Sequence, residues 1–442
     1  MRAGMTIPWL IIAAMACAPV LASAWQGGSL SPAERDLASY VDAHGDDANA
    51  LLERVVNINS GTMNLAGVQE VGRVFRSEFD RLGFETQWVD QSAVQRAGHL
   101  VADHPGPGPR ILLIGHLDTV FEPDSPFQQF ERVSPTTARG PGIIDMKGGD
   151  VIIVQALKAL SAAGLLTSMN VVVVMTGDEE EPGRPRSVAR APLVAAARGA
   201  DVAIGFENGD GDPTHAVVAR RGTASWDLRV TATSGHSSQV FSPDIGAGAI
   251  FEAARVLSAF RERLAGQPHL TFNPGVIVGG SHIEADAVQS RGAAAGKTNV
   301  VASDARVFGD IRTLSFSQLE AAKQTTLEIV RQSLSHTTSS IAFDEGYPPL
   351  APTEGNDRLL AMYDRASQDL GFGPVTAVSP DKAGAADVSF VSSEVGMILD
   401  AVGLKGHDDH SPGETADLSA LPMQAKRAAV LLSRLAAQGV RR

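Results

Sequence analysis

The chain has 442 residues, 44% of them hydrophobic and 5% aromatic, with a formal net charge of −13. That length is a prior for about two or three globular domains. The charge excludes the broad basic surface that nucleic acid requires, and it means that any acidic ligand must be held by local cations.

Arg2, the apolar run Ile7–Leu21 and Ala22-Ser23-Ala24 form an n-region, an h-region and an A-x-A cleavage site. Together they read as a secretory signal over 1–24 that is cut after Ala24. Pro8 and Pro19 interrupt a run that is too short for a membrane span. The expected product is exported, periplasmic or secreted, and free of the membrane after processing. Cys17 is the only cysteine and leaves with the signal, so a metal in the mature chain must use His, Asp and Glu.

A polar entry over Ser31–Asp47 leads into helical patterns at Ala48–Ser60 and Val68–Leu82. Then strand-like runs at Ile111–Ile114, Val171–Met175 and Val202–Phe206 alternate with helical ones such as Val151–Ala163. Short apolar runs separated by helices predict a largely parallel, doubly covered sheet of α/β class. The pattern changes near Ala219. In Ser225–Thr233, Trp226, Leu228, Val230 and Ala232 alternate with polar residues, predicting a strand with one wet face. A helix (Ile245–Leu264), strands (Thr271–Val278 and Ala305–Thr313), a helix (Ser317–Leu334) and a strand (Ser339–Phe343) follow. That order is the split βαβ signature of a ferredoxin-like domain. The expected organisation is therefore a first domain over 25–218 and 345–442, interrupted by an inserted domain at 219–344. Helices at Asp357–Leu370 and Leu418–Leu435 and the run Met397–Leu399 complete the first domain.

Acidic and imidazole groups recur just past the apolar runs: His116 and Asp118, Asp145, Asp178–Glu181, Glu207, and the stretch His407–His410. Ligands of open α/β sheets bind outside the carboxyl ends of the strands. Carboxylates converging there repel one another unless a cation joins them, and a histidine–carboxylate set suits Zn²⁺. In an extended segment His116 and Asp118 point the same way, so one can ligate while the other orients it. Glu179 beside Glu180 offers one carboxylate for a metal and one for proton transfer. No H-E-x-x-H or G-x-S-x-G occurs to favour single-zinc helix proteases or serine hydrolases.

The segments GHLDTV (115–120), GPGIIDMKGG (140–149), GDEEE (177–181), FEN (206–208) and HS (410–411) resemble, in order, the motifs of the di-zinc metallopeptidases. That family includes glutamate carboxypeptidase G, acetylornithine deacetylase, succinyl-diaminopimelate desuccinylase and aminoacylase. The resemblance spans nearly the whole mature chain. It implies a parallel-sheet exopeptidase catalytic domain with an α+β lid and dimerisation domain inserted. It also implies two Zn²⁺ ions, with Co²⁺ or Mn²⁺ as substitutes, bridged by Asp145. His116 and Glu207 would complete one site, and Glu180 and His410 the other, His410 being preferred to His407. Glu179 would be the general base, Asp118 the residue that orients His116, and the Asp145–Met146 peptide cis. In the inserted domain, His236 of SGHSS would stabilise the oxyanion, and in dimeric members it comes from the partner subunit. Asn299 and Arg312 would hold the substrate carboxylate, and Gly384 of KAGAAD would contact the substrate.

The expected reaction is amide hydrolysis releasing a C-terminal amino acid from a small or dipeptide-like carboxylate substrate, most like a glutamate carboxypeptidase. An N-acyl amino acid deacylase would use the same site. A periplasmic solute- or zinc-binding protein is the non-enzyme alternative, and it leaves a free Glu179 beside a ligand Glu180 unexplained.

Overall fold

Neighbouring strand residues point to opposite faces, and the apolar runs use both. In the computed structural model, which describes residues 30–439, Val171, Val173 and Met175 enter one core with Ile111 and Leu113, whereas Val172 and Val174 enter another with Leu112 and Ile114. The expected signal at 1–24, with Cys17, lies outside the described residues. The six-stranded sheet runs Glu85–Gln91, Arg96–His104, Asn170–Thr176, Arg110–His116, Val202–Gly205, Ile398–Leu399. Its last four strands are parallel and its first two antiparallel. Helices Gly148–Ala162 and Ala420–Gln438 pack in the first core, and Ala191–Ala197 in the second. With both faces dry, each run can carry a polar side chain only at its end, which is where the functional residues lie.

Three parts of the fold differ from the sequence expectation. Helix Pro32–Ala43 occupies the supposed polar entry; it is set by a capping box between Ser31 and Glu34 and buries only Leu37 and Val41 as its apolar anchors. The strands Glu85–Gln91 and Arg96–His104 are polar enough to escape an apolar-run search, yet they extend the sheet as an antiparallel pair. A hairpin, His282–Asp286 with Arg291–Ala295, was hidden by its glycines and alanines.

A second, wholly antiparallel sheet runs Thr271–Gly280, Asp304–Thr313, Gly222–Ala232, Thr337–Glu345, the strand order of a split βαβ unit. Helices Ala249–Leu264 and Phe316–Arg331 cover one face, where Trp226, Leu228 and Val230 form a separate core. The other face is polar, with Asp227 accepting from Arg306 at 2.7 Å and from Arg229 at 3.0 Å.

Candidate metal centre and its cleft

Parallel register brings three strand ends together, because His116 is level with Thr176, and Ile114 with Gly205. His116 is the last residue of its strand, Glu179 and Glu180 follow Thr176, and Glu207 follows Gly205. Asp145 arrives from the tight segment Ile143–Lys147, entered through Gly142 at φ 69° and leading into helix Gly148–Ala162. The Asp145–Met146 peptide is cis. Gly149 is required at the helix start, since a Cβ there would stand 2.0 Å from the carbonyl oxygen of Phe206.

Asp145 is the shared member of two side-chain groups. His116 Nε2 lies 3.1 Å from Asp145 Oδ1 and 3.7 Å from Glu207 Oε1. On the other side, His410 Nε2 lies 2.9 Å from Asp145 Oδ2 and 3.1 Å from Glu180 Oε2. Within each group one ligand atom per residue falls inside 4.8 Å of the others, a spacing that can hold a metal ion. His407 belongs to neither group.

The electrostatics show a cluster short of positive charge. Burial, and then the charge of Asp145, push Glu180 up to about 7 against the pull of His410. Hydrogen bonds to Asp145 and Glu180 carry His410 up to about 11. Burial opposes ionisation of Asp145, but its bonds to His116 and His410 hold it below the usual carboxylate range. Protons are drawn to wherever a cation is missing. Glu180 Oε1, moreover, is buried with no hydrogen-bond partner, an expensive state that an ion would relieve. The residues therefore fit a pair of divalent cations.

Several supports were invisible in sequence. Asp118 is fully buried; its carboxylate stands 3.5 Å from His116 Nδ1 but mainly accepts from Thr62 Oγ1 at 2.6 Å and from the Glu179 and Glu180 amides at 2.9 and 3.1 Å. It thus ties the Glu179–Glu180 turn to the His116 strand. Glu414 accepts from the amides of Gly142, Ile144 and Asp145 at 2.9, 2.9 and 3.2 Å, fixing the segment that presents Asp145. Buried Arg190 joins Asp178 at 2.5 Å to Asp387 at 2.6 Å, and Tyr347 Oη donates to the Glu179 carbonyl at 2.6 Å. Only Glu414 left a faint signal, as an acid four residues past His410 on the same loop. Glu181 is exposed and pairs with Arg96 at 3.3 Å.

A cleft of about 250 Å³ opens above the cluster, lined by Asp145, Glu179, Glu180, Glu207 and His410 and, opposite, by Gly384. The other expected substrate residues stand apart from it. His236 Nδ1 contacts Ser238 Oγ at 2.9 Å, and the neighbouring Ser237 amide donates to the Asn299 carbonyl at 2.9 Å. Arg312 pairs with Asp310 at 3.3 Å on the polar face of the small sheet. None of the three has a polar contact with the cluster among the described residues.

Residues 112–434 match Peptidase family M20/M25/M40. Carboxypeptidase G2 of Pseudomonas sp. (strain RS-16) is 25% identical over 431 residues, 96% of this chain and 98% of the relative. Aminopeptidase PepT of Bacillus cereus superposes with a TM-score of 0.71 at 19% identity, covering 89% of this chain and 99% of its own. YXEP of Bacillus subtilis, described as a dinuclear metal binding peptidase, superposes with a TM-score of 0.62 at 14% identity, covering 90% and 99%.

Proposed function

The chain belongs to Peptidase family M20/M25/M40 and is a metallopeptidase or amidohydrolase; from that premise we propose that it hydrolyses an amide to release a C-terminal amino acid, as carboxypeptidase G2, its relative over 96% of its length, is named for doing. One observation carries the reading. Two ligand groups share Asp145, and Glu179, which belongs to neither, faces the same cleft.

His116, Asp145 and Glu207 would hold one cation and Asp145, Glu180 and His410 the other, with zinc assigned because imidazole and carboxylate suit it. When bound, such a pair supplies Lewis acidity and lowers the pKa of a water towards neutrality. Glu179 takes the proton of the attacking water on its carboxylate and returns it to the leaving amine. Asp118 and Tyr347 fix the backbone of Glu179 from both sides, through its amide and its carbonyl, so the carboxylate has a set origin. His236 would donate to the oxyanion, a type of contact worth about 2.7–4 kcal/mol. Asn299 and Arg312 would take the substrate carboxylate, for which a guanidinium fork is suited. These three reach the cleft by approach of the small-sheet domain or from a second copy. Ile250, Phe251 and Ile277, all exposed on that domain, support a homodimer surface there.

Residues 1–24 support export. No helix among the described residues is long and apolar enough to cross a membrane.

The test follows amino-acid release from N-acyl amino acids and C-terminal dipeptides, with metal content measured alongside. Wild type should release an amino acid in a chelator-sensitive way. Glu179→Gln should keep its metal and lose turnover. Retained turnover in that variant would remove Glu179 from the proton path and reopen the binding-protein alternative.

A further inference from the structure

The cleft wall opposite the ligand groups is the loop around Lys382, and its position is fixed by contacts that use up the nearby charges. Arg220 Nη1 donates to the Gly384 carbonyl at 2.6 Å, while its Nε and Nη2 hold buried Asp400 at 2.8 and 2.7 Å. Arg221 Nε lies 3.6 Å from Asp381 Oδ1. His269, from the turn that enters strand Thr271–Gly280, contacts the same carboxylate at 3.2 Å. Lys382 sits between these anchors. It lines the cleft with Glu179 and Glu180, it is exposed, and among the described residues its ammonium has no hydrogen-bond or ion-pair partner.

Charge decides what such a lysine is for. Ionised, as metal loading would hold them, Asp145, Glu179, Glu180 and Glu207 would carry four negative charges on the cleft wall, and two divalent cations would offset those four. Asp409, also on the wall, leaves a surplus of one negative charge that would repel an anionic side chain. Lys382 cancels that surplus, so an anionic side chain is no longer repelled and meets the cleft cation left free by the protein's own acids. A neutral substrate gains nothing from it. A point charge on a flexible stem suits a carboxylate whose distance varies between ligands.

We infer that Lys382 is a specificity-determining residue that pairs with a second carboxylate of the substrate, so that amides of acidic amino acids are taken in preference to their neutral isosteres. The inference rests on the amide hydrolysis proposed above and adds a residue that discriminates between leaving groups.

The test compares N-acyl-glutamate with N-acyl-glutamine on the metal-loaded wild type and on Lys382→Met, which alters an exposed side chain. An ionic hydrogen bond of this kind is worth about tenfold or more, so kcat/KM for the glutamate substrate should fall by about that factor, mostly through KM. The glutamine substrate should change by less than about threefold, and Lys382→Glu should reverse the preference. Equal losses on both substrates, or none on either, would overturn the assignment; equal losses would indicate that Lys382 closes the cleft against Asp409. Calorimetry with free glutamate and glutamine separates this from the reaction itself. If wild type hydrolyses neither amide, the proposed reaction fails. Lys382 is then judged by whether Lys382→Met weakens glutamate binding selectively, and an unchanged Kd or no glutamate binding by wild type would overturn its role.

Discussion

The two sheets treat charge in opposite ways. The large sheet is dry on both faces and expels polar groups to its strand ends, where His116, Glu180 and Glu207 converge on Asp145 with too few cations among them. The small sheet keeps one face wet and settles its charges locally, Asp227 with Arg306 and Asp310 with Arg312. A deficit that the protein does not fill is a binding site, whereas a local pair must be exchanged before it binds anything. Chemistry is therefore expected to fail outright when the first region is altered and to weaken by degrees when the second is.

The largest effect should come from Glu179→Gln, which lowers kcat by about 10²–10⁴-fold with metal content unchanged by atomic absorption. Next, Glu414→Gln replaces one of the two carboxylate oxygens that accept from three amides by an NH₂ group that cannot accept, and leaves every ligand side chain in place. It should weaken metal binding by about 10–100-fold, read by competition with a chelator, and full retention of affinity would remove Glu414 from the support. Arg312→Ala should raise KM by about tenfold and leave the Tm near wild type, because Arg312 exchanges one partner for another on a half-exposed face.

The smallest effects are opposite pH dependences. In metal-free protein, Glu180 is raised from 4.5 to about 7, so the folded state binds more protons than the unfolded one across that interval. Stability should then fall as pH rises from about 4.5 to about 7, and metal should abolish the slope. In the small-sheet domain burial disfavours charged Glu252, but bonds from Arg255, Leu334 and Ser339 hold it below its ordinary value. Its contribution is present above pH ~4.5 and is lost as pH falls below that. Urea unfolding of wild type and Glu252→Gln should differ by roughly 1–3 kcal/mol at pH 7 and converge in acid. A difference that persists unchanged in acid would contradict the ionic role.

What the sequence made legible follows the same division. Apolar runs that end in an acid or an imidazole can be read directly, so the large sheet's central strands and the convergence of His116, Asp145, Glu180 and Glu207 were visible. The strand order of the small sheet was visible too, since Trp226, Leu228 and Val230 alternate cleanly. Strand Glu85–Gln91 was not, because it is polar on the sheet edge. Arg190 was hidden, and Glu414 showed only as an acid near His410: their partners lie 12 and 197 positions away for Arg190 and about 270 away for Glu414, and no local pattern encodes such pairs. Lys382 stood unremarked beside Gly384 because freedom from partners is a property of the fold.

The most direct test of the shared-ligand arrangement is zinc titration of wild type and Asp145→Ala by calorimetry. Two ions per wild-type chain, with both bindings severely weakened by the one substitution, is the predicted result. One ion kept at wild-type affinity in Asp145→Ala, or no zinc taken up by wild type, would contradict it.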